Sequence, residues 1–450
     1  MNPSFNIIKS EPWIMKAMIL LLVIAWLPVL SNGFLLNWDD QWMVLQNPYL
    51  QETSLEAASA IFTDSYGGQY SPVNSLAYLA LLETAGENAF WFHLFSLLLH
   101  IINFVLVGLV LKKLLGLIPN LSLSGNQILL ISWATAFLFA VHPLQVESVA
   151  WISASKIVLF SFFYLLGMWF YLLYKETGNR LHLLWVMLCF LASLLSKEQA
   201  VVFVGTLVAV DLAITPAANL KQSAVWLEKI PFVALALLFS WFTLSIQAGS
   251  GAGGSYPFGH RILFANYSFW EYLVKLSVPH SLSHFYFFPM DPGEAIPNRF
   301  WFYPIATLFV LWLLYEYRER INRIYLFGGL FFLINLALVL HILPVPRGAI
   351  IADRYVYLSV IGFFLILVYG GVMLYGSLRE KQRGAAFQRV LLAGAGVYLL
   401  FLMGTTHQRT YDWQDSETLY WDVEAVVEQH TGNYGLSMLN NAPITPCYDN

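Results

Sequence analysis

The sequence predicts an all-α protein with many membrane-spanning helices. Hydrophobic residues make up 58% of the 450 residues and charged residues only 11%, a balance that a soluble core of this length does not require. Apolar runs of about 15 to 22 residues recur along the chain, close to the roughly 20 residues that a helix needs to cross a bilayer. The alternating ten-residue strands of an outer-membrane barrel do not occur in the sequence.

The apolar runs predict about eleven crossings. The first run follows Lys9 and could be a signal peptide, but it is long for one and Ser31-Asn32-Gly33 is a weak cleavage site. We therefore expect it to be retained as a helix. The predicted spans are 13–30, 88–111, 127–147, 157–174, 181–196, 200–216, 230–247, 300–316, 323–343, 355–376 and 388–404.

The distribution of charge orients these spans. An inside N-terminus places 15 of the 23 lysines and arginines on the cytoplasmic side, most firmly in the basic clusters at 318–323 and 379–389. The outer side then receives a first loop, 31–87, a second large loop, 248–299, and the tail 405–450. A twelfth crossing within 266–290 would move the 318–323 cluster outside, so we expect an amphipathic or re-entrant element there. Residues 1–404 form one predicted transmembrane domain.

Two adjacent carboxylates follow the first span, in Trp38-Asp39-Asp40. A carboxylate held at a membrane surface can act as a general base toward a hydroxyl group, and Trp38 and Trp42 can rest at the level of the lipid headgroups. The alternative is an ordinary solvated, acidic loop. This pair is the first candidate for chemistry.

Other ionisable groups gather at the same predicted face. His142 and Glu147 lie at the outer end of the third span, where such groups tend to be functional, although either could be a structural contact. Lys156 and Lys197 lie at outer helix ends. Two histidines, His280 and His284, have the i, i+4 spacing of a metal pair if their segment is helical; an interfacial anchor is the alternative.

Arg347 and Arg354 lie in a short outer loop, against the positive-inside tendency. Asp353 partly balances them. A phosphate group is a second partner, because its oxygens match the guanidinium fork; a structural ion pair is the alternative.

Acids and cations on one face predict a site that joins a hydroxyl acceptor to a lipid-linked phosphate donor, as in glycosyl transfer. The base would take the acceptor proton while the anomeric carbon becomes oxocarbenium-like. The cations would stabilise the charge on the departing phosphate.

Several motifs together resemble one family, the transmembrane-and-tetratricopeptide-repeat family. Its members are GT-C glycosyltransferases similar to protein O-mannosyltransferases, and they use a polyprenyl-phosphate-linked sugar. The resemblance runs from about residue 34 to 430 and implies a GT-C-like bundle. The motifs are Trp38-Asp39-Asp40 with Asn47-Pro48, His142-Pro143 with Val146-Glu147 and Ala150-Trp151, Ser196-Lys197-Glu198, Ala352-Asp353-Arg354-Tyr355 with Tyr357-Leu358, and Trp413-Gln414-Asp415-Ser416.

The resemblance implies roles for these residues. Asp39 or Asp40 is the base, with Asp39 preferred and its neighbour orienting the acceptor or holding a metal. No cofactor is firmly predicted, and a divalent metal is left open at Asp39 and Asp40. The predicted donor-phosphate contacts are Arg354, Lys197 and Arg347, and the predicted pocket residues are His142, Glu147, Trp38, Asp353 and Tyr355.

The expected enzyme is an inverting transferase of a mannose-like sugar. Its expected partners are the bilayer, the lipid-linked sugar and a protein or glycan hydroxyl, and not nucleic acid. We expect a bacterial inner membrane with the site facing the periplasm; an endoplasmic reticulum membrane with a lumenal site is the alternative. Residues 430–450 are too few for a repeat array, so a member without repeats and a shortened chain both remain open. Two alternative functions remain: a flippase or transporter of lipid-linked sugars, and a non-catalytic scaffold.

Overall fold

The computed structural model describes residues 7–249, 256–290, 293–343, 349–379 and 384–422, and these residues form helices and no strand. This confirms the predicted all-α class. The α-helices are α1 Ile7–Trp26, α2 Leu55–Thr63, α3 Pro72–Ala85, α4 Ala89–Leu117, α5 Gly125–Ala140, α6 Val146–Ala150, α7 Ser155–Thr177, α8 Leu181–Ser196, α9 Phe203–Ile214, α10 Ser223–Leu227, α11 Ile230–Gly249, α12 Phe258–Ser277, α13 Phe302–Glu316, α14 Arg323–Ala337, α15 Ser359–Arg379 and α16 Gly384–Arg409.

Long apolar helices confirm the predicted membrane character. Within the described ranges, six helical segments are long and apolar enough to cross a bilayer, or seven if the bent pair of α5 and α6 counts as one. The remaining predicted spans coincide with shorter helices: α8, α9, α13 and α14. The count of eleven crossings therefore stays a prediction. The six segments are Ser10–Ser31, Ala89–Leu117, Ile152–Thr177, Ser223–Ile246, Ser359–Leu378 and Gly384–Trp413.

The centre of the bundle consists of α4, α5, α7, α8, α9, α14 and α15, which pack against one another. Gly328 of α14 and Gly362 of α15 allow one close approach: a Cβ on Gly362 would lie 2.3 Å from the Gly328 carbonyl oxygen. None of the side chains of α13 is buried. Helix α12 overlaps the first part of the amphipathic outer element predicted at 266–290; it buries Leu263, Phe264 and Tyr272, and a non-helical segment follows it.

A break divides the third predicted span. Helix α5 ends at Ala140, and α6 begins after a turn that contains Pro143, at an angle of 57°. Proline cannot donate a backbone hydrogen bond, and the residue before it prefers an extended backbone. His142 accordingly has ψ 133°, and its Nδ1 accepts from the Leu144 amide at 3.2 Å. After the break, Glu147 and Trp151 are both buried.

The loops and helix ends that the distribution of lysine and arginine assigns to the outer side meet at one end of the bundle. Trp26 Nε1 donates to the Ala140 carbonyl at 3.0 Å, and Asn32 Nδ2 donates to the Thr410 carbonyl at 2.9 Å. The Gly33 amide donates to the Gln414 carbonyl at 2.9 Å. The loop that follows the first predicted span thus packs on the segment that follows the last.

The opposite end carries a buried charge network. Lys175 lies 3.0 Å from Asp211 and 2.7 Å from Glu228. Lys229 is only 4% exposed and contacts both carboxylates and the Tyr171 hydroxyl. Two lysines therefore match two carboxylates, as a network buried between α7, α9 and the start of α11 requires.

Candidate functional site

A cavity of about 340 Å³ lies at the end of the bundle that the distribution of lysine and arginine assigns to the outer side. Its volume falls within the roughly 300–1,000 Å³ that is usual for small-molecule sites. Three basic side chains, Lys156, Lys197 and Arg354, and two acidic side chains, Asp39 and Glu198, line it. The other lining residues are Gly68, Gln69, Tyr70, Trp151, Ser153, Ala154, Ile157, Gln199, Val201, Ser240, Thr243, Leu244, Ile246, Leu338, Val339, Leu343 and Tyr355.

The two adjacent aspartates have different surroundings. Asp39 lines the cavity, is partly exposed and accepts from Trp42 Nε1 at 3.0 Å. Asp40 is fully buried behind it. Its Oδ1 accepts from the Ser153 amide at 2.8 Å and the Ser153 hydroxyl at 2.5 Å, and its Oδ2 accepts from the Leu35 amide at 3.0 Å.

The hydrogen bonds of Asp40 indicate a structural role. Burial raises the pKa of Asp40 to about 6, although the hydrogen bonds from Ser153 and Leu35 oppose this rise. Asp40 Oδ1 joins the first outer loop to the turn before α7, and Oδ2 bonds to the backbone of Leu35 within the same loop. Asp39 is therefore the member of the pair that can meet a ligand in the cavity.

Arg354 enters the cavity from the loop before α15. Its guanidinium and its backbone amide both donate to Glu147, the amide at 2.7 Å. Glu147 is 1% exposed and the Arg354 side chain 24%. Burial lowers the pKa of Arg354, but Glu147, Tyr355 and Asp39 together outweigh burial and raise the pKa, so the guanidinium stays charged.

Two aromatic rings fix the guanidinium of Arg354 further. Its Cζ lies 5.2 Å from the centre of the Trp151 ring and 4.9 Å from that of Tyr355. Stacking on aromatic faces is favourable for a planar cation. Glu147 thus orients Arg354 from behind, and Tyr355 lines the cavity beside it.

Two lysines complete the positive part of the lining. Lys197 ends α8 and lies 3.7 Å from Glu198, and its side chain is 12% exposed. Lys156 stands in the first turn of α7, donates to Gln69 Oε1 and lies 3.9 Å from the sulfur of Met43. The three cations come from three separate segments, which the fold brings to one cavity.

A cluster of four aromatic rings lies beside the cavity and shares Trp151 with its lining. Trp38, Trp151, Trp413 and His284 follow one another in a closed circuit, with neighbouring ring centres between 5.6 and 6.0 Å apart. Burial, with Arg409 and Arg354 nearby, lowers the pKa of His284, so its imidazole is neutral. The segment of His280 and His284 is not helical, and His280 is exposed while His284 is buried, so the i, i+4 metal pair does not form.

Other predicted site residues lie elsewhere. His142 is fully buried and does not line the cavity; its Nε2 lies 3.2 Å from the Leu276 carbonyl. Asp353 is buried, accepts from the Tyr286 hydroxyl at 2.8 Å and lies 4.0 Å from Arg409. Trp38 belongs to the ring cluster rather than to the lining. Arg347 lies outside the described residues.

The possible metal site at Asp39 and Asp40 stays a prediction, and hydrogen bonds from the chain limit what the two carboxylates can offer to a metal ion. Chain donors occupy both oxygens of Asp40, and Asp39 bonds to Trp42. Across the part of the chain that the structure describes, no three His, Cys, Asp or Glu side chains are placed to share a metal.

One wall of the cavity is apolar. Val201, Leu338 and Val339 line it together with Leu244 of α11 and Leu343. Leu244 is 56% exposed and Leu343 is 52% exposed, so this wall continues onto the outer surface of the bundle. The cavity thus has cations at one side and an apolar opening at another.

The sequence carried a signal for some of the remaining lining residues. Gln69 and Tyr70 lie in an outer loop with several aromatic and polar residues, and Lys156 is a cation at an outer helix end. Ser240 and Thr243 of α11 carry no such signal, because they are small polar residues within a long apolar run.

The sequence matches no protein-family model and no curated protein.

Proposed function

We propose that this protein is a membrane glycosyltransferase of GT-C type that moves a sugar from a polyprenyl-phosphate donor to a hydroxyl acceptor. One observation carries the proposal: Asp39 lines the same cavity as Lys156, Lys197 and Arg354. A carboxylate opposite several cations suits a reaction that removes a proton at one side and releases a phosphate at the other.

In this proposal, Asp39 accepts the proton of the acceptor hydroxyl. The acceptor oxygen forms a bond to the anomeric carbon, and the bond from that carbon to the donor phosphate breaks. The phosphate leaves with both bonding electrons, and Arg354, Lys156 and Lys197 stabilise its charge. Attack from the face opposite the phosphate inverts the anomeric centre.

The apolar wall supports a lipid donor. A polyprenyl chain could leave the cavity between Leu244 and Leu343, whose exposed side chains lie on the surface of the bundle. The chain would then stay in the hydrocarbon layer while its phosphate reaches the cations. Asp40 and Glu147 act in this proposal through Asp39 and Arg354, because neither lines the cavity.

The finer proposals rest on the sequence. We propose a mannose-like sugar, a protein or glycan acceptor, and a bacterial inner membrane with the cavity facing the periplasm. The outer assignment follows from the distribution of lysine and arginine, and the family resemblance supplies the sugar.

Transfer of labelled sugar from polyprenyl-phosphate mannose in isolated membranes tests the proposal. Asp39→Asn should abolish transfer, while Glu56→Gln, which alters an exposed acid of the same outer loop, should leave it unchanged. Asp40→Asn should reduce transfer through the position of the loop. Unchanged transfer in Asp39→Asn would refute the proposed mechanism.

The bend between α5 and α6 favours a second candidate, a transporter of lipid-linked sugars, because transporter sites often lie at broken helices. The charged groups of the cavity lie at helix ends rather than along one broken helix. A fluorescent polyprenyl-phosphate sugar in proteoliposomes separates the two. Movement of the lipid between leaflets without sugar transfer would favour the transporter.

A further inference from the structure

A tight turn separates the main cavity from a second, smaller pocket. In this 66–69 turn, Gly67 and Gly68 have φ of 56° and 72°, and the amides of Tyr66 and Gln69 each donate to the other's carbonyl at 3.1 and 3.0 Å. Positive φ at both central residues is the usual geometry of a two-residue hairpin turn. The second pocket has about 30 Å³, and Gln69 belongs to the lining of both.

A lysine of the main cavity holds this turn. Lys156 Nζ donates to the side-chain oxygen of Gln69. The acceptor is a neutral amide, whereas a phosphate oxygen carries negative charge and forms a stronger hydrogen bond with an ammonium group. A phosphate in the main cavity would therefore compete with Gln69 for Lys156.

The same turn also restrains Asp39. A Cβ on Gly67 would lie 2.3 Å from the ring of Trp42, so the turn rests directly on this indole. Trp42 Nε1 in turn donates to Asp39 Oδ1 at 3.0 Å. Trp42 and Gln69 both line the second pocket. Movement of the turn would loosen the indole and, through it, the carboxylate.

We propose that Gln69 is a latch residue: a lipid phosphate that binds Lys156 releases Gln69, and the 66–69 turn then moves to give the acceptor a route to Asp39. This inference rests on the proposed function. It places donor binding before acceptor binding, and it gives Lys156 two partners in succession. Gln69 is a positioning residue here, since it acts through Lys156 and Trp42.

Hydrogen exchange of the turn amides tests the latch. The wild-type protein is placed in phosphatidylcholine nanodiscs with and without undecaprenyl phosphate, and exchange is followed by mass spectrometry. Loss of one hydrogen bond to a charged group should speed exchange of the Tyr66 and Gln69 amides at least about tenfold when the lipid phosphate is present. Exchange that stays constant or slows would overturn the latch.

Two variants and a control sharpen the result. Gln69→Leu removes the latch, so its turn should exchange rapidly with or without undecaprenyl phosphate. Gln69→Glu forms an ion pair with Lys156, so about tenfold more lipid phosphate should be needed for release. Gln51→Leu should behave as the wild type, because Gln51 is an exposed glutamine of the same loop that donates to the Leu45 carbonyl.

A second peptide separates failure of the latch from failure of the proposed function. Undecaprenyl phosphate at Arg354 should slow exchange in residues 349–357. Slower exchange there with an unchanged turn would overturn the latch and leave the proposed donor site standing. No change in either peptide would overturn both proposals.

Discussion

The pair of Glu147 and Arg354 yields an asymmetric prediction for stability. Arg354→Gln leaves the Glu147 carboxylate, which is 1% exposed, without its guanidinium partner, and removal of one partner of a buried pair costs about 3–5 kcal/mol. Glu147→Gln leaves Arg354, which is 24% exposed and faces the cavity, so we expect a smaller loss of about 1–2 kcal/mol. The double variant Glu147→Gln/Arg354→Gln should be more stable than Arg354→Gln alone, because it leaves no unpaired charge.

Equilibrium unfolding in mixed detergent micelles with increasing dodecyl sulfate measures these free energies. All variants should be compared at pH 7 in the same micelles. A loss in Glu147→Gln as large as that in Arg354→Gln would refute the reasoning from burial. Strict additivity in the double variant would refute the pairing itself.

Three further predictions concern the support of the site and the opposite end of the bundle. Ser153→Ala removes a hydrogen bond to the Asp40 carboxylate and should raise the pKa of Asp40 above about 6; infrared difference spectroscopy of the carboxyl group should then find its protonation at higher pH, and a midpoint that stays in place or moves down would contradict this. Gly67→Ala should lower transfer at least about tenfold, because the added Cβ would clash with the Trp42 indole. Gly86→Ala is the control: Gly86 has a similar positive φ but open space around it, so this variant should lose only about 1 kcal/mol of stability and keep its activity. Lys229→Met should lower the free energy of unfolding by about 3–5 kcal/mol without changing the donor KM, and a changed KM would show coupling between the two ends.

Much of the fold follows from the sequence, because the bilayer demands long apolar helices whatever their detailed packing. The number of crossings does not follow in the same way. Helices α9 and α13 have 12 and 15 residues, so their length alone does not assign them as spans. Whether they cross depends on neighbours and on membrane position, which the local sequence does not encode.

The site was partly predictable. Asp39, Lys197, Arg354 and Tyr355 were predicted because charged or aromatic groups at outer helix ends stand out against an apolar chain, and the fold brings all four to one cavity. His142 had the same signal but is held by backbone groups of distant and neighbouring residues. An ionisable residue near a membrane boundary thus has two explanations that only tertiary contacts separate.

The different roles of Asp39 and Asp40 could not be predicted from the sequence. Adjacent residues share the same local pattern, and only the position of Ser153, 113 residues away along the chain from Asp40, buries one of them. The role of Gln69 was hidden for the same reason, since Lys156 reaches it across 87 residues. Contacts between residues far apart in the sequence determine both the burial of Asp40 and the position of Gln69.

We propose that Asp39 is the base of a sugar transfer from a lipid phosphate. The most direct measurement is steady-state transfer by the purified protein in proteoliposomes, with polyprenyl-phosphate mannose as donor and Asp39→Asn compared with the wild type. Loss of a general base should lower kcat by about 10²–10⁴-fold while the donor KM stays near its wild-type value. An Asp39→Asn variant that keeps the wild-type kcat would rule out Asp39 as the base.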